Sequence, residues 1–302
     1  MAFTVIPSTL FLGKVWQHFD ELPSTNDFLA NSPQNTEGAV VTTFNQTAGR
    51  GQMGNRWLAE PNLNLAYSIR LQPTFLQANE QFHLNKIVAL AVHDLIEISN
   101  FKFQISNEGI SNEKISDSKY GEISNEEPLK TSNFKLQTSN ERPSNFKLQT
   151  SNAIKWANDI YIGDKKVCGI LIQNSLSGSR LQATIIGIGI NINQLDFPKN
   201  INATSLRLET GQLFELMPFV EKLTQCLEFR YLQLKSAVNF NKIHEEYLSK
   251  MYRFGMDAIY RRMKDDTVFM GKIVGVSATG QLEIMSDRGI ELFDIKEVKF
   301  EI

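Results

Sequence analysis

Gln46-Thr47-Ala48-Gly49-Arg50-Gly51-Gln52-Met53-Gly54-Asn55-Arg56-Trp57 is the stretch on which the reading of this chain turns. Three glycines allow sharp turns and close backbone approach, because no Cβ stands in the way. Arg50 and Arg56 add fixed positive charge to the same loop. Bare N–H groups and guanidinium together suit a phosphate or a carboxylate. The spacing also satisfies Gly-x-Gly-x-x-Gly. A dinucleotide site, however, needs a helix directly after the loop and an acid roughly 20 residues on. Here Pro61 and a strand-like run at Leu65 to Leu71 follow, and no acid lies between Glu60 and Glu80. The phosphate loop of nucleotide triphosphatases is excluded too, since no Gly-Lys-Ser or Gly-Lys-Thr closes the run.

Composition narrows the classes. The chain has 302 residues, 42% of them hydrophobic, enough for a substantial core in one large domain or two smaller ones. A net charge of −2 gives no bulk field for nucleic acid or anionic membrane. Cys168 and Cys226 make no disulfide framework and fit a reducing, cytoplasmic setting. No secretory signal opens the sequence, and no apolar run is long enough to span a membrane. The four histidines are scattered, and His244-Glu245-Glu246 lacks the second histidine of a zincin helix, so no protein-bound structural or catalytic metal is expected.

Along the chain, residues 98–152 stand apart. Ser99-Asn100-Phe101-Lys102-Phe103-Gln104 returns in degenerate form at Ser132 to Asn140 and at Ser144 to Asn152. The units are too short and irregular for a solenoid. Their polar, mixed-charge composition buries little apolar surface, so an insertion without a fixed fold is expected, with weak edge strands as the alternative. Elsewhere the pattern is mixed α and β. A short helix from Asn26 would take Ser24 or Thr25 as its cap. Strands are expected at Ala39 to Thr43, Leu65 to Leu71 and Arg180 to Ile192, with a hairpin from Ile160 to Ile172. Helices are expected at Phe82 to Ile96, Leu213 to Leu234 and Phe240 to Met251. After Phe254-Gly255, four strand-like runs separated by Gly and Asp turns predict a small β-barrel over 254–302, after a catalytic domain over 1–253.

Further segments join the opening loop. Leu22-Pro23-Ser24-Thr25-Asn26 sets small polar groups at a helix start. Ile154-Lys155-Trp156-Ala157-Asn158-Asp159 and Gly163-Asp164-Lys165-Lys166-Val167-Cys168-Gly169 set lysines, an amide and a carboxylate on one hairpin. Gly187-Ile188-Gly189-Ile190-Asn191 puts two glycines in a strand, and Asn202-Ala203-Thr204-Ser205 follows. In this order they resemble the biotin protein ligases, from about Leu22 to the C-terminus. The resemblance implies an α+β fold: a class II aminoacyl-tRNA synthetase-like catalytic domain with a mixed sheet, plus a small C-terminal SH3-like barrel. Some members carry an N-terminal DNA-binding winged helix. The chain begins about twenty residues before Ser24-Thr25-Asn26, so the form without that module, and without DNA or a membrane as partner, is expected.

The activity implied is activation of biotin by ATP and Mg²⁺ to biotinyl-5′-AMP, then transfer to a lysine of a biotin carboxyl carrier protein. Two anions must meet, so cations and N–H donors are required. Arg50 and Lys166 are the catalytic candidates; on residues alone, Lys166 also reads as a solvated turn lysine. Ser24, Thr25, Asn26 and Gln46 match the contacts to the neutral biotin head, although Ser24 and Thr25 equally suit helix capping. Arg50, Gly51, Gln52, Lys166, Gly169, Gly187 and Gly189 complete the biotin set. Gly187 and Gly189 would leave a bare strand for a flat ligand, or serve a bulge or tight packing. Gly49, Arg56, Trp57, Asn158, Asp159 and Asn191 are the ATP candidates, with Asp159 able to hold Mg²⁺ bound to phosphates. Asn158 and Asn191 read equally as backbone satisfiers. Trp57 reads as an adenine stack or a core anchor, and Trp156 as core.

Two features depart from the family pattern. Gln52 stands where many members have a second arginine, so looser retention of the adenylate is expected unless Arg56 compensates. The insertion ends directly before the Lys155 strand. The rival readings are a lipoate or octanoate ligase on the related fold, and an inactive biotin-binding module disrupted by the insertion. An exposed strand would serve carrier docking or homodimerisation alike.

Overall fold

The computed structural model describes residues 8–32, 36–108, 152–236 and 240–301. The elements run β1 (Trp16–Phe19), α1 (Thr25–Asn31), β2 (Val40–Thr43), β3 (Asn64–Leu71), α2 (Phe82–Glu108), β4 (Asn152–Lys155), β5 (Asp159–Ile162), β6 (Lys165–Ser177), β7 (Arg180–Asn191), α3 (Leu206–Thr210), α4 (Met217–Lys235), α5 (Phe240–Ser249), β8 (Asp257–Arg262), β9 (Val268–Val276), β10 (Leu282–Ser286), β11 (Gly289–Phe293) and β12 (Val298–Phe300). The first seven strands form one mixed sheet in the order β1-β2-β3-β7-β6-β5-β4. Only the β1–β2 pair is parallel.

Strand alternation assigns the faces of this sheet. On β3, Tyr67 meets Thr224 of α4 through its hydroxyl at 3.1 Å, while the neighbouring Ser68 meets Thr25 and Asn26 of α1. Helices therefore cover both faces at the centre, and both faces of β3 are buried. In α2 the apolar residues Leu84, Ile87, Val88, Ala91, Val92 and Leu95 recur at helical spacing, and all are buried. Arg230 of α4 ties three helices together, with Nε 2.7 Å from Asp94 of α2 and Nη2 2.7 Å from Glu246 of α5.

Several elements differ from the sequence expectation. Helix α2 continues past Ile96 into the first repeat unit. Helix α4 starts at Met217, not Leu213, because Asn193 clamps Phe214 in both directions, at 2.8 and 3.0 Å. Strands β1 and β12 and helix α3 were not anticipated. Most of the 98–152 segment, including the later repeat units, lies outside the described residues.

The last five strands form an antiparallel sheet in the order β11-β10-β9-β8-β12. Tyr260, Phe269, Ile273, Leu282, Ile284, Phe293 and Phe300 bury one side of it. Strands β11 and β12 are its two edges, so closure into the expected barrel is not part of the pairing. This sheet meets the first through Trp156, whose Nε1 donates to Gly280 O at 2.9 Å, which makes Trp156 a buried core residue. Among the described residues no helix is long and apolar enough to cross a membrane.

Candidate active site

The sheet face opposite α4 carries a cavity of about 130 Å³. Its floor is the backbone of β6 and β7 at Gly169, Gly187 and Gly189, which lie close together in register. One wall is the start of α1. Ser24 caps that helix, accepting the Asp27 N–H at 3.2 Å, and Leu29 anchors it in the core. The cap holds Ser24, Thr25 and Asn26 at the cavity edge, each 5% exposed or less. Gln46 joins them, its Oε1 accepting the Thr25 N–H at 2.9 Å and lying 3.1 Å from the Thr25 hydroxyl.

The glycine loop supplies a second wall. Its start is pinned to the chain entering α1, with Thr47 N to Leu22 O at 3.1 Å and Ala48 N to Pro23 O at 2.8 Å. It then folds back on itself through Gly51 N to Asn55 O at 2.7 Å and Trp57 N to Gly49 O at 3.0 Å. Gly54, at the turn, has φ +83°, a conformation that favours glycine. Gly49 is not on the cavity wall. A Cβ there would fall 2.7 Å from both Gln46 Nε2 and Trp57 O, so its glycine serves packing of the loop. Arg50, Gly51, Gln52, Asn55, Arg56 and Trp57 do line the cavity.

The floor is not bare. A Cβ on Gly187 would lie 2.3 Å from Asn26 Oδ1, and one on Gly189 would lie 2.4 Å from Trp57 Cε2. The Trp57 ring also passes over Gly169, with Cζ3 3.1 Å from the position of a Cβ there. These glycines line the cavity and also make room for Asn26 and for the Trp57 indole, the tight packing that the sequence offered beside ligand approach. The Trp57 Nε1–H is buried and has no hydrogen-bond partner.

Both expected cations carry a protein carboxylate. Arg50 pairs with Asp27 of α1. Lys166 Nζ lies 2.8 Å from Asp159 Oδ2, with both side chains about one-third exposed. The Lys166 backbone is fixed by Asn202 O at 3.1 Å and Thr204 N at 2.9 Å, which explains the position of the Asn202 to Ser205 segment. The neighbouring lysines are placed elsewhere. Lys155 Nζ bonds Tyr161 Oη at 3.1 Å and sits over the rings of Tyr161 and Phe300, at 4.6 and 5.1 Å. Burial pulls the Lys155 ammonium below its ordinary pKa, against the opposing effect of Asp159. Lys165 is exposed and does not line the cavity.

Asn158 and Asn191 do not line the cavity. Asn158 Nδ2 donates to Ile170 O and Asn191 Nδ2 to Thr204 O, both at 3.0 Å in buried surroundings. They brace the hairpin and the end of β7 from behind. Asp159 is the one carboxylate lining the cavity, among residues otherwise neutral or basic. Away from it, His93, Asp94 and Glu97 present ligand atoms within 4.8 Å of one another, but Asp94 is held by Arg230 and Glu97 by Lys250. Burial pushes the Cys168 thiol up, which leaves it unreactive beside the cavity.

Sequence reasoning missed Asp27, Ser68, Asn55 and Gln173. Alternation along β3 carried a signal for Ser68, the hydroxyl between Tyr67 and Ile69 on the face that α1 covers.

A sequence model of the Biotin/lipoate A/B protein ligase family matches residues 18–191. The chain is 28% identical over 260 residues to the bifunctional ligase/repressor BirA of Bacillus spizizenii, covering 84% of this chain and 64% of that protein. It is 29% identical over 153 residues to the biotin--[acetyl-CoA-carboxylase] ligase of Paracoccus denitrificans, covering 49% of this chain and 62% of the relative. The matched region thus spans less than two thirds of either relative. Among solved structures, the biotin protein ligase of Aquifex aeolicus in complex with biotin and ATP superposes with a TM-score of 0.65 at 23% identity, over 95% of this chain and 100% of that one.

Proposed function

We propose that this chain, which belongs to the biotin/lipoate A/B protein ligase family, is a biotin protein ligase that acts on the carrier domain of a biotin-dependent carboxylase. The observation that carries this reading is the composition of the cavity. The neutral polar groups of Ser24, Thr25 and Gln46 and the cations Arg50 and Lys166 line one cavity over a glycine floor. A ligand with an uncharged hydrogen-bonding head and a carboxylate tail fits that set of groups, as biotin does. A plain fatty or lipoyl chain would leave the polar end unpaired, at a cost in affinity.

In the first step a biotin carboxylate oxygen attacks the α-phosphorus of ATP. The bond from that phosphorus to the bridging oxygen breaks, and pyrophosphate leaves with the electron pair. Lys166 would meet the carboxylate and Arg50 the developing phosphate charge, each exchanging its aspartate partner for the ligand. Asp159, released from Lys166, would help hold the Mg²⁺ that accompanies ATP, since such ions take one or two carboxylates with phosphate oxygens. Trp57 would leave the floor as the ligand enters. In the second step a carrier lysine amine attacks the acyl carbon, AMP departs, and the ammonium proton passes to solvent. No side chain of the cavity is placed as a nucleophile, so positioning and charge stabilisation supply the acceleration.

The test is biotin-dependent exchange of labelled pyrophosphate into ATP, with lipoate as control and Lys166→Ala alongside. Exchange with biotin alone, lost in the variant, is the expected outcome. Exchange with lipoate instead, or none from folded protein, refutes the reading.

A further inference from the structure

The geometry points to Ser68 as a positioning residue that sets the hydrogen-bond polarity of the head-group end, an inference that rests on the biotin ligase reading. Ser68 is fully buried in β3 and stands behind the cavity without lining it. Across the β3–β7 pair it is in register with Gly187. The missing side chain at Gly187 admits the Asn26 amide, which brings Asn26 Oδ1 to 2.5 Å from Ser68 Oγ. Thr25 Oγ1 lies 2.7 Å from the same oxygen.

Counting protons decides the direction of these contacts. A serine hydroxyl has one proton to donate. Asn26 Oδ1 has none, and its Nδ2 donates to Gln173 Oε1 at 3.2 Å. The Ser68 proton therefore goes to Asn26, and the Ser68–Thr25 contact is held by the Thr25 proton. The Thr25 hydroxyl also lies 3.1 Å from Gln46 Oε1, so either acceptor for its proton is a protein atom. With its proton committed to the protein, Thr25 offers lone pairs to the cavity. Gln46 Oε1 also accepts the Thr25 N–H, so both of these contacts fall on the amide oxygen and the group Gln46 has left to offer a ligand is Nε2, a donor beside Gly49. An acceptor and a donor thus stand side by side before any ligand arrives. Their partner is an N–H beside a C=O on one edge of a neutral ring, the pattern of a cyclic urea. Preorganisation of this kind raises affinity because the ligand need not order the groups itself.

Ser68 consequently acts on biotin binding and not on the charged end, where the reaction occurs. The test uses Ser68→Ala, Ser68→Cys, which keeps the shape in a slightly larger side chain but donates poorly, and Ser68→Thr, which keeps the hydroxyl. Biotin binding is measured by calorimetry, and pyrophosphate exchange gives the kinetics. In the Ala and Cys variants biotin Kd and KM should rise together by roughly tenfold, the consequence of one lost buried hydrogen bond. ATP KM and kcat at saturating biotin should stay within about twofold, and Ser68→Thr should recover most of the affinity. An unchanged biotin Kd in Ser68→Ala overturns the inference, as does a fall in kcat without a rise in biotin KM. Loss of folding in both variants makes Ser68 a core residue and also overturns it. Wild-type protein that binds no biotin overturns the functional reading and this inference with it, whereas wild-type binding with an unaffected variant overturns the inference alone.

Discussion

Gly189→Ala is the substitution that most directly tests the arrangement of Trp57. The added methyl would lie 2.4, 2.7 and 2.8 Å from three atoms of the indole. All three belong to a rigid ring, so no flexible tail can swing aside. To reach the 3.4 Å at which ordinary contact begins, the ring must retreat by about 1 Å. Overpacking of this kind costs about 1–3 kcal/mol, or roughly 5- to 150-fold in an equilibrium. Trp57 sits on a half-exposed loop, so the strain should open the loop and leave the sheet intact. Gly169→Ala is the internal control, because its nearest neighbours lie at 3.1 Å and two of them are the flexible end of Lys166. The assay is tryptophan emission with and without biotin, with Trp57→Phe subtracted to remove Trp16 and Trp156. Gly189→Ala should show red-shifted Trp57 emission before ligand is added and a smaller change on binding. Gly169→Ala should fall between it and wild type. Wild-type emission from Gly189→Ala, or a global loss of folding, would refute the placement of Trp57 on the floor.

Four further outcomes follow from the structure. Lys166→Ala should slow adenylation by about 10²- to 10³-fold, the usual effect of losing one preorganised charge, while Lys155→Ala should keep most of the activity and lose stability instead, measured as exchange rate against Tm. Arg230→Ala should cost about 3–5 kcal/mol in urea unfolding, because it leaves Asp94 and Glu246 without their shared cation. The hydrogen bond from Arg230 holds the Glu246 carboxyl below its ordinary 4.5, so its contribution is full above that pH and is lost as pH falls through the lowered folded value. The acid limb of a stability–pH profile should flatten in Glu246→Gln. Gln52→Arg, which adds a charge to the glycine loop, should slow escape of the adenylate in a release assay, and equal leakage from both proteins would show that Gln52 has no part in retention.

The parts of this protein that local chemistry dictates were legible in the sequence. Ser24 before a helical run announces a cap, and it is the cap. Glycines at 51, 169, 187 and 189 announce close approach, and all line the cavity. What fills the space above them was not legible, because Asn26 and Trp57 reach Gly187 and Gly189 only through the fold. The same limit applies to charge. Lys155, Lys165 and Lys166 are equivalent in composition, yet one lies on aromatic rings, one in solvent and one on Asp159. Asn158 and Asn191 were ambiguous for a related reason. A buried amide serves whichever backbone carbonyl lies nearest, and here those are Ile170 and Thr204. Strands β1 and β12, of four and three residues, are too short for a period to register, and pairing with β2 and β8 defines them.

The paired charges give the cavity a consistent electrostatic logic. A cluster of Arg50, Arg56 and Lys166 with no counter-charge would repel itself and hold its side chains loosely. Asp27 and Asp159 neutralise two of the three and fix where Arg50 and Lys166 stand. Both pairs are partly exposed, so each is worth little in net stability and breaks at small cost. A ligand carboxylate or phosphate then replaces one oxygen anion by another at the same cation, with little reorganisation around it. Under the proposed function, the partner aspartate would then be free to help hold a metal–phosphate group. In the proposed reading, the exchange would favour the ligand only when its neutral head is also held by Thr25 and Gln46. A free carboxylate without that head meets an aspartate already in place. In the proposed reading, selection would depend on the neutral polar groups and activation on the cations of one cavity. That is why Ser68, with no contact to the cavity, should govern which molecule is activated while leaving the rate of activation nearly untouched.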